Sequence, residues 1–266
     1  MKSIFITAIL FFALNSQFAY TQQYRFLQTE LYGLQLYGGY LTNSYTADFT
    51  NFSGTISCDK FTKGNGSGSA FGLQFELPAS NTVSIVGGIG MHDRSGSLSS
   101  TSVFPIRYDN SPNGFTGVVM DQTIATSMSF LETQIDARYV ILEKYSFAFR
   151  IIGGFRIGFP VQGQYDQKST IISPENVGFN VNGNTLQSRE LSSGSISSFA
   201  GIQSGGVIGI EPMLRVSPSM HLTSSIMYDI PFSSALSDAS LRISGIRALF
   251  GIRYSMRVFA PSPNTP

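Results

Sequence analysis

The sequence is poor in charge, tryptophan, cysteine and long apolar runs. Charged residues make up 12% of its 266 residues, about half of the roughly 25% that is usual in globular domains. Its single cysteine, Cys58, excludes an intrachain disulfide and any multi-cysteine metal site. A net charge of +1 gives no electrostatic basis for binding nucleic acid. After residue 20 no stretch reaches the roughly 18 consecutive apolar residues of a transmembrane helix.

The residues that are abundant suggest a different class of protein. The chain holds 27 glycines, 22 phenylalanines and 12 tyrosines, and 42% of its residues are hydrophobic. Low charge, many aromatic and glycine residues and no long apolar run together favour a transmembrane β-barrel. The predicted fold class is all-β, an eight-stranded antiparallel up-and-down transmembrane β-barrel.

The first 21 residues have the pattern of a secretory signal peptide. Lys2 precedes an apolar run from Ile4 to Leu14, and the polar sequence Asn15-Ser16-Gln17 follows it. We therefore expect residues 1–21 to be a signal peptide, 22–259 to form the barrel and 260–266 to be a proline-rich tail.

Period-2 alternation of apolar and polar residues marks eight strands. In the segment 146–159, Phe149, Ile151 and Phe155 share one face, and Arg150 and Arg156 lie on the other. Such alternation is typical of strands with one face toward lipid and the other toward the lumen. The eight predicted strands are 31–41, 68–77, 82–91, 127–141, 146–159, 200–216, 221–230 and 242–258.

Short and long connections between these strands alternate without exception. The short ones are 78–81, 142–145 and 217–220, and the long ones, rich in serine, glycine, asparagine and threonine, are about 42–67, 95–124, 160–198 and 231–240. Outer-membrane barrels have short periplasmic turns and long external loops. The alternation therefore predicts a bacterial outer-membrane location with both termini in the periplasm.

The topology resembles that of the eight-stranded OmpA-like outer-membrane β-barrels, particularly those of Bacteroidota type. The final strand, Leu249-Phe-Gly-Ile-Arg-Tyr-Ser-Met-Arg-Val-Phe259, resembles the terminal signal that the barrel-assembly machinery reads, although seven more residues follow it. The resemblance implies outer-membrane lipid and the assembly machinery as partners. The peptidoglycan-binding domain that follows the barrel in OmpA-like proteins is absent from this sequence, so cell-wall tethering is not implied.

Charged residues on the inward faces form the candidate site. An eight-stranded barrel is only just wide enough for its side chains to fill, and a lipid-facing arginine would cost about 2–4 kcal/mol at mid-membrane. Arginine outnumbers lysine by twelve to five, and its guanidinium fork suits directed bonds to carboxylates. The predicted lumen ionic network comprises Glu76, Glu132, Asp136, Arg138, Arg150, Arg156, Glu211, Arg215, Arg247, Arg253 and Arg257.

Two functions of this network are compatible with the sequence. The charges can pair across the lumen and plug it, which leaves a structural or loop-mediated interaction role. The alternative is a narrow pore that weakly prefers anions, because inward arginines outnumber inward carboxylates.

Catalysis is not expected, and neither is a cofactor or a metal. The sequence has no GxSxG, HExxH or CxxC motif. Small outer-membrane barrels include lipid A deacylases with a His/Ser/Glu arrangement, but His92 and His221 are predicted near opposite membrane faces. A lipocalin-type barrel needs the reverse pattern, apolar inside and polar outside.

The long loops offer a place for an extracellular partner. The segment 49–58 and the loop 160–198 carry apolar residues, among them Tyr165, Ile171, Ile172, Val177 and Phe179. These residues can contact a partner, or they can pack over the mouth of the barrel. Cys58 is interpreted as a lone loop thiol, with attachment or an intermolecular disulfide as the alternative.

Overall fold

The computed structural model describes residues 32–52, 55–107 and 115–256, and these form twelve β-strands. The predicted signal peptide and the proline-rich tail lie outside this part of the chain. The strands are β1 (Tyr32–Phe52), β2 (Thr55–Pro78), β3 (Val83–Asp93), β4 (Ser95–Arg107), β5 (Phe115–Lys144), β6 (Phe147–Ser173), β7 (Phe179–Val181), β8 (Asn184–Leu186), β9 (Ser188–Ser195), β10 (Gln203–Arg215), β11 (Met220–Pro231) and β12 (Ser240–Met256).

Eight antiparallel strands close into a ring. β3 and β4 act as one strand, because Asp93 lies opposite Ser129 and Gly96 opposite Thr126, which is the same register on β5. The ring therefore runs β1, β2, β3–β4, β5, β6, β10, β11, β12, and β12 pairs with β1 along its whole length to close it. The predicted fold class is confirmed, and each of the eight predicted strands coincides with a member of the ring.

The lengths of the connections were predicted only in part. Short turns follow Pro78, Lys144 and Arg215 as expected, and the connection between Pro231 and Ser240 is a loop. The prediction of loops at 42–67, 95–124 and 160–198 was wrong. Most of their residues continue the strands as hairpins that project beyond the membrane-spanning part, and the 30 residues of β5 far exceed the roughly 9–11 that cross a bilayer.

A belt of apolar side chains surrounds the ring near the end with the short turns, called here the turn end. Phe155 and Phe250 expose 68% and 65% of their surface there. An apolar band on the outside of a closed barrel is typical of barrels that span a bilayer. The outward residues of the belt include Leu36, Tyr40, Phe71, Leu73, Ile135, Tyr139, Ile208, Ile226, Tyr228 and Ile252. Within the described residues, no helix has the length and apolar character to cross a membrane.

The projecting end of the barrel has the opposite pattern. On β1, Tyr45, Ala47 and Phe49 point inward and are buried, whereas Ser44 and Thr46 point outward and are exposed. Serine and threonine therefore face water, and their abundance is compatible with strand as well as with loop. The inward apolar residues form the roof cluster, which comprises Tyr45, Ala47, Phe49, Phe61, Leu98, Ile124, Met128, Phe130, Ile196, Ala235, Leu236, Leu241 and Ile243.

Candidate functional site: the charged lumen

Below the roof cluster, the lumen is filled by buried charged side chains arranged in two layers. Alternation along each strand sends the belt residues outward and their neighbours inward, so that Phe149 lies on the belt side of β6 and Arg150 inside. Arg138, Arg150 and Arg247 are at most 1% exposed although they are among the longest side chains in the chain.

The lower layer lies toward the turn end and contains Glu76, Glu211, Arg138, Arg150 and Arg253. The Arg150 guanidinium bridges both carboxylates: Nη1 donates to Glu76 Oε1 at 2.6 Å and Nη2 donates to Glu211 Oε1. Arg253 Nε donates to Glu76 Oε2 at 2.9 Å, and Arg138 Nη1 donates to Glu211 Oε2 at 2.8 Å. Each carboxylate is therefore held by two guanidinium groups from different strands.

The upper layer lies between the lower layer and the roof cluster and contains Glu132, Asp229, Arg94, Arg156 and Arg247. Arg247 Nε donates to both oxygens of Asp229 at 2.7 and 2.8 Å, and its Nη2 donates to Glu132 Oε2 at 3.0 Å. Arg94 joins the same two carboxylates at 2.8 Å each. The Arg156 guanidinium is only loosely attached, 3.5 Å from Glu132 and 3.5 Å from Asp229.

Gln134 and Asp136 connect the two layers. Gln134 donates to Asp136 Oδ2 at 2.5 Å, and Asp136 lies 3.9 Å from Arg138 of the lower layer. Gln134 Oε1 also accepts a bond from Arg247 of the upper layer at 3.3 Å. The Tyr37 hydroxyl lies 3.2 Å from Nε2 of His92, which belongs to the upper layer. The layers therefore form one network of hydrogen bonds and ion pairs.

Nine of the eleven sequence-predicted site residues lie in these layers or between them. Arg215 does not: it is half-exposed and donates to the main-chain carbonyls of Ser217 and Pro218 in the turn after β10. Its position near the end of β10 explains this, because its side chain reaches the turn more easily than the lumen. Arg257 lies outside the described residues.

Two charged members of the upper layer were missed by the sequence analysis. Asp229 lies between outward Tyr228 and Ile230, so period-2 alternation alone places it inside the barrel. Arg94 follows the predicted end of a strand at residue 91, but it keeps the inward phase of His92 and is fully buried. Extending the predicted strand by three residues would have included it.

The two histidines occupy separate environments, as their predicted positions near opposite faces required. His92 lies in the upper layer beside Glu132, with Nδ1 3.2 Å from Oε2. His221 lies near the turn end, 3.3 Å from Ser255 Oγ. The histidine near Glu132 therefore lies inside the barrel beside Arg247, whose Nη1 is 3.3 Å from its Nδ1, away from any lipid-facing position.

The predicted loop residues divide between packing and exposure. Ile171 is buried and Tyr165 packs against the roof cluster, whereas Ile172 is 52% exposed. The segments 196–200 and 232–239 fold inward over the mouth, joined by main-chain bonds such as Ala200 N to Ala235 O at 3.0 Å. Part of the apolar surface thus closes the barrel, as one of the two sequence alternatives expected. The side chain of Cys58 lies outside the described residues.

A side-chain hydrogen bond joins the roof cluster to the upper layer, and the effect of removing it can be measured. The Tyr45 hydroxyl donates to the carbonyl of Arg94 at 2.6 Å in a buried position. We expect Tyr45→Phe to lower the free energy of unfolding by about 1–3 kcal/mol, because it leaves that carbonyl unpaired. Tyr40→Phe, on the outward face of the same strand, is the control and should change little. Denaturant unfolding of both variants measures the difference, and equal effects would contradict the role of the bond.

Comparison with known proteins gives likeness of structure alone. No protein-family model matches the chain, and no curated protein matches it either. Among solved structures, it is similar to the outer membrane protein OprG from Pseudomonas aeruginosa, with 10% identity, 86% of this chain and 98% of that chain covered and a TM-score of 0.38. The chain is also similar to the N-terminal β-barrel domain of OprF from the same organism, with 9% identity, 84% of this chain and 97% of that chain covered and a TM-score of 0.36. For the attachment invasion locus protein Ail of Yersinia pestis the identity is 12%, the covered shares are 85% of this chain and 99% of that chain, and the TM-score is 0.31.

Proposed function

We propose that this chain is a non-catalytic outer-membrane β-barrel protein with a plugged lumen, and that it acts through its projecting end in a structural or interaction role. The observation that carries the proposal is the burial of the charged layers. Six arginines and five carboxylates converge in the lumen at no more than about 4% exposure. A solute would have to break several of these ion pairs in order to pass.

The projecting end supports the interaction role. It rises beyond the apolar belt as hairpins with a packed interior, and its outward serine and threonine residues suit an aqueous surface. Exposed apolar residues such as Ile172, Leu186 and Leu191 lie on this part. An extracellular partner at these hairpins, outer-membrane lipid around the belt and the assembly machinery at the final strand are the partners that we propose, with both termini in the periplasm.

A narrow pore that weakly prefers anions is the second candidate. It is favoured by the excess of one arginine over the carboxylates in the lumen, since a positive lining attracts anions. A small rearrangement of the upper layer would have to open the path, and the loosely held Arg156 is the group best placed to move.

Single-channel recording of the refolded mature chain in a planar bilayer tests the proposal. We expect no sustained current from protein whose folding is verified on the same sample by circular dichroism and resistance to cold SDS. A steady, anion-selective current would overturn the plug in favour of the pore. Altered lipid A or phospholipid in cells that express the chain would overturn the non-catalytic role.

A further inference from the structure

The two layers of the lumen differ in their charge balance. In the lower layer Arg138, Arg150 and Arg253 face Glu76 and Glu211, and Asp136 is a third carboxylate within 3.9 Å of Arg138. In the upper layer three arginines share only two carboxylates. Because arginine stays protonated in proteins, the upper layer carries one positive charge in excess.

Arginine donors without a partner among the described residues occur in both layers: the lower layer has two, Arg138 Nε and Arg150 Nε, and the upper layer has three, on Arg94 and Arg156. Nη1 of Arg94 and Nη2 of Arg156 are buried and have no partner among the described residues. The side-chain amide of Gln203 is likewise unpartnered at both atoms, and the residue is fully buried. Buried polar groups normally find partners, so unsatisfied atoms on two arginines that contact Glu132 and on a glutamine in the same row point to a ligand.

The register of three strands places Gln203 in the same row as Glu132, the carboxylate that Arg94 and Arg156 share. Gly158 on β6 pairs with Glu132 on one side and with Gln203 on the other, so all three lie in one row across the barrel wall. Glycine leaves a gap between the two side chains, because a Cβ at position 158 would lie 3.4 Å from Glu132 Cγ and 3.8 Å from Gln203 Cβ. Arg156, two residues away on the same face, shares Glu132 with Arg94.

We propose that the upper layer binds one monovalent anion of halide size, chloride in the cell, between Arg94, Arg156 and Gln203. Water could accept the free N–H bonds, but it could not neutralise the excess charge, and an uncompensated charge in a low-dielectric interior is costly. An anion does both. The roof cluster lies directly above and shields the site from bulk solvent.

Chloride here would be a structural ion, and its binding does not require the lumen to be plugged. In a pore, the same groups would form a binding site along the path. The proposal therefore stands or fails separately from the proposed function, which the conductance measurement tests.

Crystallography with bromide tests the site directly. The protein is refolded and crystallised in bromide, so that the ion need not cross the roof cluster, and anomalous scattering at the bromine edge locates it. We expect one peak within hydrogen-bond distance of Arg156 Nη2 and the Gln203 amide. Absence of a peak there, or peaks confined to the protein surface, would overturn the proposal.

Two matched substitutions give a solution readout. Gln203→Glu places a fixed carboxylate beside the excess charge, so the variant should lose the bromide peak, and its thermal midpoint should no longer differ between chloride and gluconate at equal ionic strength. Gln167→Glu is the control, because Gln167 is another buried glutamine with both amide atoms unpartnered, on the same strand as Arg156 but outside the upper layer. It should keep the bromide peak and the chloride dependence. Wild-type protein that is equally stable in chloride and gluconate would contradict the proposal even if either variant failed to fold.

Discussion

Arg150→Leu is expected to lower the free energy of unfolding by about 3–5 kcal/mol, the cost of removing one partner from a buried ion pair. Arg150 is fully buried and is the group that bridges Glu76 and Glu211. Its loss leaves Arg138 and Arg253 to balance Glu76, Glu211 and the neighbouring Asp136. The penalty therefore comes from the negative charge left behind in the lumen more than from the lost bonds themselves.

Urea unfolding of the chain in phospholipid vesicles, followed by circular dichroism, measures this effect. Arg242→Leu is the matched control, since Arg242 is an outward, exposed residue of β12, and it should change stability by no more than about 0.5 kcal/mol. Adding Glu211→Gln to Arg150→Leu removes one stranded charge, so the double variant should recover part of the loss. Equal effects of the two leucine substitutions, or no recovery, would show that the network does not depend on charge balance.

The fold was predictable because the membrane forces a simple rule on each strand. Lipid on one side and a narrow polar lumen on the other leave period-2 alternation as the only acceptable pattern, and β6 and β12 follow it closely. The same rule predicted that Arg150 and Arg253 point into the lumen, because their neighbours Phe149 and Ile252 point outward. Closure of the ring then followed from the even number of strands and from the alternating connections.

The projecting hairpins were not predictable by the same rule, because the rule reverses outside the membrane. Phe61 and Ile243 point inward there, and serine and threonine point to water, so a strand that crosses the boundary changes its pattern partway along. When the membrane pattern is applied to the whole strand, its outer half does not fit and is taken for a loop. Arg94 was missed for a different reason, because the predicted strand ended at residue 91, three residues before it.

The arrangement of charges within the lumen also lay beyond the sequence. Alternation states which residues point inward, but the register between strands decides which of them meet. Glu132 and Gln203 lie in one row on either side of Gly158, and no local pattern in the sequence marks that arrangement. The division into a balanced lower layer and a positive upper layer is therefore a property of the closed barrel alone.

Phe250→Arg is expected to destabilise the membrane-embedded barrel by about 2–4 kcal/mol, the cost of an arginine at the bilayer midplane. Phe250 is the middle member of the outward row Ile246, Ala248, Phe250, Ile252 and Tyr254 on β12, and it is 65% exposed. Its side chain therefore lies near the middle of the hydrocarbon core. No neighbouring carboxylate faces outward there to pair with an introduced arginine. Ile252→Arg, one step nearer the interface, should cost less.

Ser44→Arg supplies the control for this prediction. Ser44 faces outward on β1, opposite Ser244 and beyond the belt, so an arginine there meets water and should leave folding unchanged. Refolding yield into vesicles and urea unfolding compare the three variants. Since the same residue type is introduced each time, a cost that rises from Ser44 through Ile252 to Phe250 would measure depth in the bilayer. Equal costs at all three positions would show that the apolar belt does not face lipid.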